Sequence, residues 1–427
     1  MSSDSTLSLE PLVMLPPDGG YGWVVVVTCF LMNLFTDGAI YTFGFYQKNM
    51  QDDFDKDSAA VALLASLCSG FYYVAAPVWS AVGNRWGFRT VSVVGALASG
   101  GALLACFFIT QYAVFILVYG IVLGAASGGV YVATMISVGF YFERWRGVAT
   151  SLTSCGSGVG ILVMPLCYKA MSSYEGYTWR WILAFNASVF GVVVLLSLLL
   201  KPLQPVAMLC PHAVTSTLAA LLHHSILTNS VFIVFAFTQV FVMMGYFTPY
   251  LFSQDQAVKS GVDPSVAEWI LPTLGVANAV GRALSGVMCE VPGVSALVLS
   301  CITMSIAGIM VAITCLCASP IYQMFMASAY GFFIAPFMAM KSLILVDFLG
   351  IERLTNSFGL LLMFQGFAVM IGPPLSGWIH DITQSYHYVY LISGSLLFIA
   401  SLLPYLMYPL SNYEQRKEIK QASRRSS

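Results

Sequence analysis

Charge is what this chain has least of. Asp, Glu, Lys and Arg together make up 9% of its 427 residues, while 58% are hydrophobic. Too few polar side chains remain to coat a soluble globule, so the composition is that of an integral membrane protein. The charges that exist favour neither sign, 18 basic against 19 acidic, which leaves no electrostatic footprint for nucleic acid. Metal-ligand spacing is missing as well: the ten cysteines fall mostly inside apolar segments, which predicts buried free thiols. No phosphate loop and no nucleophile and base spacing occurs, so neither an enzyme nor a cofactor is expected. The first 21 residues hold no Lys or Arg and do not resemble a cleavable signal peptide.

What the chain has in abundance is apolar runs of the length, about 20 residues, that a bilayer helix needs. They lie at 22–46, 59–82, 90–109, 112–139, 146–170, 180–200, 229–252, 264–289, 294–317, 321–348, 354–379 and 387–408. The expectation is an all-α membrane protein of twelve transmembrane helices. The longest polar interruption, 201–228, contains Pro202, Pro205 and Pro211 and divides the helices into two sets of six. This gives an N-terminal segment 1–21, a six-helix bundle 22–200, a cytoplasmic linker 201–228, a second bundle 229–408 and a tail 409–427. His212, His223 and His224 of the linker read as a solvated polar loop rather than a metal site, since partner ligands are missing. With both ends in the cytoplasm, eleven Lys and Arg fall inside (Arg85, Arg89, Arg144, Arg146, Lys201, Arg353, Arg416, Lys417, Lys420, Arg424, Arg425) and five outside. That bias supports the inside orientation of both termini.

Four stretches carry a resemblance. Pro16-Pro17-Asp18-Gly19-Gly20-Tyr21-Gly22-Trp23 opens the first helix, and Tyr141-Phe142-Glu143-Arg144-Trp145-Arg146-Gly147-Val148-Ala149 leads into the fifth. Gly245-Tyr246-Phe247-Thr248-Pro249-Tyr250 and Gly372-Pro373-Pro374-Leu375-Ser376-Gly377 follow in helices seven and eleven. Together they resemble the monocarboxylate transporter family of the major facilitator superfamily, with Ser151 where a glycine is usual. Asn84-Arg85-Trp86-Gly87-Phe88-Arg89 resembles the superfamily's loop between helices two and three, with Asn84 in place of the usual Asp. The resemblance implies the major facilitator fold, a small-molecule carboxylate or zwitterion as substrate and a location in the plasma membrane. Some relatives travel with a single-span ancillary glycoprotein, though no motif here reports one.

Asp18 precedes a helix start and can accept hydrogen bonds from orphan backbone donors, while Trp23 suits the membrane interface. The reading is a cap and anchor, with conformational coupling as the alternative. Arg144 and Arg146 are expected to anchor the loop into the fifth helix at the cytoplasmic surface, and Arg85, between helices two and three, is grouped with them, Asp18 and Trp23 as a conformational or gating residue. Gly147, Ser151, Cys155, Gly156 and Gly160 make a small-residue face on which another helix can pack closely.

The sharpest functional signal is Arg282, a permanently charged guanidinium inside an apolar span, where such a group marks a functional site by default. Asn278 lies four residues earlier on the same helical face. By resemblance, proton-coupled relatives carry Asp at that position, so Asn278 removes a titrating group while Arg282 keeps its fork for a carboxylate. Two readings stay open for Arg282, a substrate or gating residue and a structural ion pair. Tyr41 stands where lactate-carrying relatives place a lysine. One turn earlier, Asp37 has three readings: pairing with Arg282 or Lys341, binding a proton or a substrate ammonium, or lying near the outer headgroups. Lys341 either snorkels to the interface or lines the cavity as a cation. Tyr246, Tyr250, Phe333 and Phe337 suit a bulky or aromatic substrate, or serve as packing.

The expected function is a secondary transporter, symporter or facilitator, that moves a small organic anion or zwitterion, monocarboxylate-like or amino-acid-like, by alternating access. The rival is a sensor or receptor that keeps the fold without transporting. No signalling domain resembles anything in this chain. The sequon Asn186-Ala187-Ser188 falls within helix six, where glycosylation is not expected.

Overall fold

A computed structural model describes residues 18–174, 176–201, 224–414 and 416. Most of the expected linker, with His212 and His223, lies outside the described residues, as do 1–17 and 417–427 of the terminal segments. Among the described residues there are twelve helices long and apolar enough to cross a bilayer. We number them α1 (Tyr21–Tyr41), α2 (Leu63–Trp86), α3 (Phe88–Phe108), α4 (Tyr112–Tyr141), α5 (Arg146–Ser172) and α6 (Arg180–Ser197). The second set is α7 (Ser230–Lys259), α8 (Pro264–Met288), α9 (Ala296–Leu316), α10 (Pro320–Leu349), α11 (Ile351–Thr383) and α12 (Tyr386–Glu414).

Within the first set α1 packs along α5, and α3 against both α4 and α6; within the second, α8 packs on α10, α9 on α12, and α7 on α11 and α12. The two bundles meet along α5–α8 and α2–α11. Lipid offers no hydrophobic gain for bringing helices together, so close approach relies on small residues. On α5 these residues face in two directions. A Cβ at Gly156 would stand 3.0 Å from the Leu34 amide nitrogen, and one at Gly160 3.0 Å from Gly38 Cα, so this face fits α1. A Cβ at Gly158 would meet Ala279 Cβ at 3.0 Å, which places this glycine on the seam with α8. Farther along the seam, a Cβ at Gly286 of α8 would stand 2.7 Å from Ser151 Cβ.

Several helices are irregular. Helix α7 breaks at Phe247, between segments Ser230–Tyr246 and Thr248–Lys259, ahead of Pro249, which has no amide hydrogen to continue the ladder. The Tyr246 carbonyl is recovered by the Tyr330 hydroxyl of α10, which donates to it at 2.7 Å. Such rescue by a neighbouring helix is what lets a broken helix persist at membrane depth. Helix α4 carries a π-helical stretch, Ile116–Leu123. Helix α1 ends at Tyr41, short of the expected 46, because Phe43–Phe45 tightens into a 3₁₀ turn. Helix α7 runs past the expected 252 to Lys259, its polar last turns tied to α12 by Tyr386, which donates to Asp255. Asn186 of the sequon is buried and accepts from the Tyr168 hydroxyl at 2.9 Å, a packing role inside the first bundle.

Candidate functional site

Among the described residues, besides Arg146 at the first position of α5, three charged side chains lie buried within the membrane-spanning helices: Asp37 and Lys341 are each 2% exposed and Arg282 6%. They come from α1, α10 and α8, so the group spans both bundles. Among the described residues none of the three forms an ion pair, whereas pairs such as Arg180–Asp53, Lys259–Asp255 and His380–Asp381 lie elsewhere. Each is held instead by neutral partners. That arrangement determines what the site can do.

Arg282 donates from Nε to Asn278 Oδ1 at 2.8 Å and from Nη1 to the Ser154 carbonyl of α5 at 2.9 Å. Asn278 in turn donates to the Gly331 carbonyl of α10 at 3.0 Å. An asparagine orients the guanidinium without neutralising it, which an aspartate would do. The guanidinium therefore keeps its charge without an acidic partner, the Tyr246 hydroxyl being a further neutral one. Tyr131, Tyr246 and Tyr250 are among its neighbours.

Asp37 accepts from both sides. The Tyr72 hydroxyl of α2 donates to Oδ1 at 2.5 Å, and the Ser157 hydroxyl of α5 donates to Oδ2. Arg282 and Lys341 are close enough to act on it through space, and at 2% exposure it is enclosed by neighbouring helices rather than facing outward. Lys341 does not snorkel. Its Nζ donates to Gln365 Oε1 of α11 at 3.1 Å and lies 5.8 Å from the Tyr131 ring and 5.9 Å from the Tyr73 ring, both in the first bundle. Its stem points across the bundle interface because α10 presents this position inward, away from the headgroups.

Aromatic side chains close the space around these charges. Tyr41 and Tyr73 share a hydrogen bond at 2.6 Å, and the Tyr72 and Tyr73 rings meet edge to face at 4.9 Å. Tyr246 donates to Tyr250 at 3.1 Å, with their rings 5.1 Å apart, and Phe247 approaches Tyr41 of the other bundle at 6.1 Å. Phe337 takes no part: it is 1% exposed and stacks edgewise on Phe235 of α7 at 6.3 Å, inside the second bundle. Phe333 packs beside Phe332 at 5.2 Å. Tyr72, Tyr73, Tyr131, Ser154, Ser157 and Gln365 belong to the site and were not singled out in the sequence. No pattern along a single helix singles them out, because their partners lie on other helices.

A second cluster lies at the α4–α5 loop, the end assigned to the cytoplasm by charge. Asp18 does not cap its own helix. Its Oδ1 accepts from the amides of Glu143 at 2.8 Å and Arg144 at 3.0 Å, and its amide donates to the Tyr141 carbonyl at 3.2 Å. The helix start itself, at Gly20, has no side-chain cap. Trp23 packs on Phe142 with centroids 5.0 Å apart. Arg146 is buried rather than surface-anchored, donating from Nε to the carbonyls of Phe142 at 2.8 Å and Gly139 at 3.1 Å. Arg144 and Arg85 stay exposed, lying over Trp145 at 5.5 Å and Trp86 at 5.0 Å. Asn84 donates to Asn356 at 3.0 Å, joining α2 to α11 without charge. Among the described residues no group of three metal-ligating side chains occurs.

The family model described as Major Facilitator Superfamily matches residues 29–260 and 256–427. The chain is 26% identical over 387 residues to "Monocarboxylate transporter 13" of Bos taurus, covering 90% of this chain and 89% of that protein. It is 24% identical to "Monocarboxylate transporter 10" of Mus musculus, covering 97% and 83%. Its fold superposes on the proton:xylose symporter XylE bound to 6-bromo-6-deoxy-D-glucose with a TM-score of 0.71 at 14% identity, over 90% of this chain and 95% of that one.

Proposed function

This chain belongs to the major facilitator superfamily and, within it, to the monocarboxylate transporter family; from that premise we propose that it moves a small organic anion or zwitterion across the plasma membrane by alternating access. The single observation that carries the reading is a guanidinium, Arg282, buried at the bundle seam with neutral partners in place of a carboxylate. A substrate carboxylate supplies the missing acceptor, with bidentate geometry and charge assistance. Asp37 and Lys341 belong to the same binding site, and Tyr41, Tyr246 and Tyr250 give it a largely aromatic lining suited to a bulky or aromatic group. Phe337 supports that lining from behind, through the packing of α10 on α7.

The placement of the site supports alternating access. Its residues are divided between bundles, so a rocking motion that opens either end exposes the same charges to the opposite side. Substrate shifts the equilibrium only by binding some states more tightly than others, and a carboxylate completing Arg282 in the closed state does that. Asp18, Trp23, Arg85, Arg144 and Arg146 act at the loop ends, where they set how readily the first bundle lets go. An ancillary single-span glycoprotein is compatible with the exposed apolar faces, as it is for any helix pair facing lipid. The test is an uptake screen of labelled monocarboxylates and amino acids in a host lacking related carriers, at two pH values. Uptake of one chemical class above the host background supports the reading; surface-localised protein with no flux of any of them refutes it.

A further inference from the structure

At the end assigned to the outside by charge, the second bundle holds a cavity of about 400 Å³ that shares no lining residue with the central site. Its walls come from the outer ends of α7, α9 and α11 and from the start of α12, with Gln256, Lys259, Cys315, His380 and Tyr386 among them. That volume lies within the range of small-molecule sites. Buried polar groups beneath it lack partners. Gln256 is 3% exposed; its Nε2 donates to Ser260 Oγ at 3.1 Å, which sets the orientation of the amide, and its Oε1 has no hydrogen-bond partner among the described residues. Ser253, one turn earlier on the same face of α7, is buried with an unpartnered hydroxyl as well. So is Tyr390, one turn along α12 from Tyr386 and close enough to Cys315 to act on it through space. An unpartnered buried polar group costs free energy that a hydrogen-bonding ligand restores, and here three of them lie on neighbouring stretches of α7 and α12.

The charges around the cavity decide what kind of ligand fits. None of the described lining residues is acidic, and Lys259 is the only Lys or Arg among them. That ammonium is already engaged: Nζ lies 3.2 Å from Asp255 Oδ2 and 3.4 Å from the Tyr386 hydroxyl, which itself donates to Asp255. Asp381, beside the cavity, meets His380 Nδ1 at 3.3 Å. An anion would have to take Lys259 from Asp255, and a cation finds no carboxylate on the wall. The groups left to a ligand are neutral, an amide oxygen on Gln256 and the hydroxyls of serines and a tyrosine. We propose that this cavity is an outer binding site for a neutral polyol, and that a bound polyol braces the outer segment of α7 against α12. One ligand hydroxyl donates to Gln256 Oε1, and others exchange hydrogen bonds with the side-chain hydroxyls around it. The braced segment, Thr248–Lys259, starts at the Phe247 break and carries Tyr250, a neighbour of Arg282. In the transporter reading, on which this last consequence alone rests, polyol outside the membrane therefore slows the movement of α7 without occupying the central site.

Three six-carbon probes that differ at one end test the charge class on the full-length protein in detergent: neutral sorbitol, anionic gluconate and cationic glucamine. Sorbitol is expected to raise the thermal midpoint saturably, with half-saturation at about 1–10 mM for some three neutral hydrogen bonds. A rise that stays linear in concentration is the general effect of an excluded osmolyte and overturns the site. Gln256→Met is expected to raise the half-saturating concentration about tenfold. His387→Trp crowds the cavity from an exposed position, where folding is not at stake, and is expected to abolish the saturable shift. Wild-type binding by both variants overturns the placement, and a stronger shift with gluconate or glucamine overturns the neutral class. Amide hydrogen exchange across 248–259 is expected to slow when sorbitol saturates; unchanged exchange overturns the brace. None of these readouts needs flux, so the site stands or falls apart from the transporter reading.

Discussion

Two glycines on α5, two positions apart, separate the packing of a bundle from the closing of the carrier. Gly160 faces α1, where an added Cβ would stand 3.0 Å from Gly38 Cα and would also press on the Leu34 carbonyl. Gly158 faces α8, where an added Cβ would lie 3.0 Å from Ala279 Cβ. Carbon atoms pack at about 3.5–4.0 Å, so each substitution demands roughly 1 Å of separation. Overpacking of this size costs about 1–3 kcal/mol. For Gly160→Val the cost falls on the folded bundle, and the expected outcome is a lower thermal midpoint together with lost uptake, since Asp37 and Ser157 flank the same α1–α5 contact. For Gly158→Val the cost falls only on the state in which the bundles meet. A penalty of 1–3 kcal/mol there lowers the closed population about 5- to 150-fold. Transport should collapse while the thermal midpoint moves little. The assay is uptake normalised to surface protein, paired with thermal unfolding in detergent. If Gly158→Val transports normally, or if it unfolds as early as Gly160→Val, the seam is not the moving surface and the reasoning fails.

Other consequences follow from the same geometry. Asp18→Ala removes the acceptor for two loop amides and should cost about 1–2 kcal/mol at this partly exposed position, while Asp18→Asn keeps one acceptor and should lose less uptake; equal losses would contradict the hydrogen-bonding role. Asn278→Asp places a carboxylate where the amide oxygen now lies 2.8 Å from Arg282 Nε. It should compete with substrate and raise the half-saturating concentration at least about tenfold, and an unchanged value would argue against Arg282 as the substrate's partner. Phe337→Leu should lower the thermal midpoint through its lost contact with Phe235, by about 1 kcal/mol, without altering which carboxylates compete for uptake. A changed competition profile would return Phe337 to the lining.

The fold was legible because a bilayer demands some 20 apolar residues per helix and this chain interrupts its runs with few charges. Helix ends were harder to read. The apolar Phe43 and Phe45 extended the expected first helix beyond Tyr41, and the polar Gln254 and Asp255 shortened the seventh, because a hydropathy window does not register a 3₁₀ turn or a Tyr386 contact made from another helix. At the site, Asn278 and Arg282 could be paired by their spacing along one helix. Partners on other helices could not. Asp18 bonds to Glu143 and Arg144, 125 and 126 residues away, whereas the sequence offered only its own helix start. Tyr72, Tyr73 and Tyr131 look like ordinary packing when read one helix at a time, and they become part of the site only when α2 and α4 turn them toward Asp37 and Lys341. Lys341 had two readings because a four-carbon stem reaches several ångströms in any direction; the direction is set by how α10 packs between α8 and α9.

Counterflow in proteoliposomes tests the central claim most directly, because it registers movement through the protein and needs no driving gradient. Wild-type protein and the Arg282→Ala and Arg282→Lys variants would be reconstituted in equal amounts and loaded with a panel of unlabelled monocarboxylates, with the matching labelled compound outside. The account predicts transient accumulation of at least one labelled carboxylate by the wild type, abolished in Arg282→Ala and reduced in Arg282→Lys, whose ammonium lacks the guanidinium's fork. Undiminished counterflow by Arg282→Ala would contradict it.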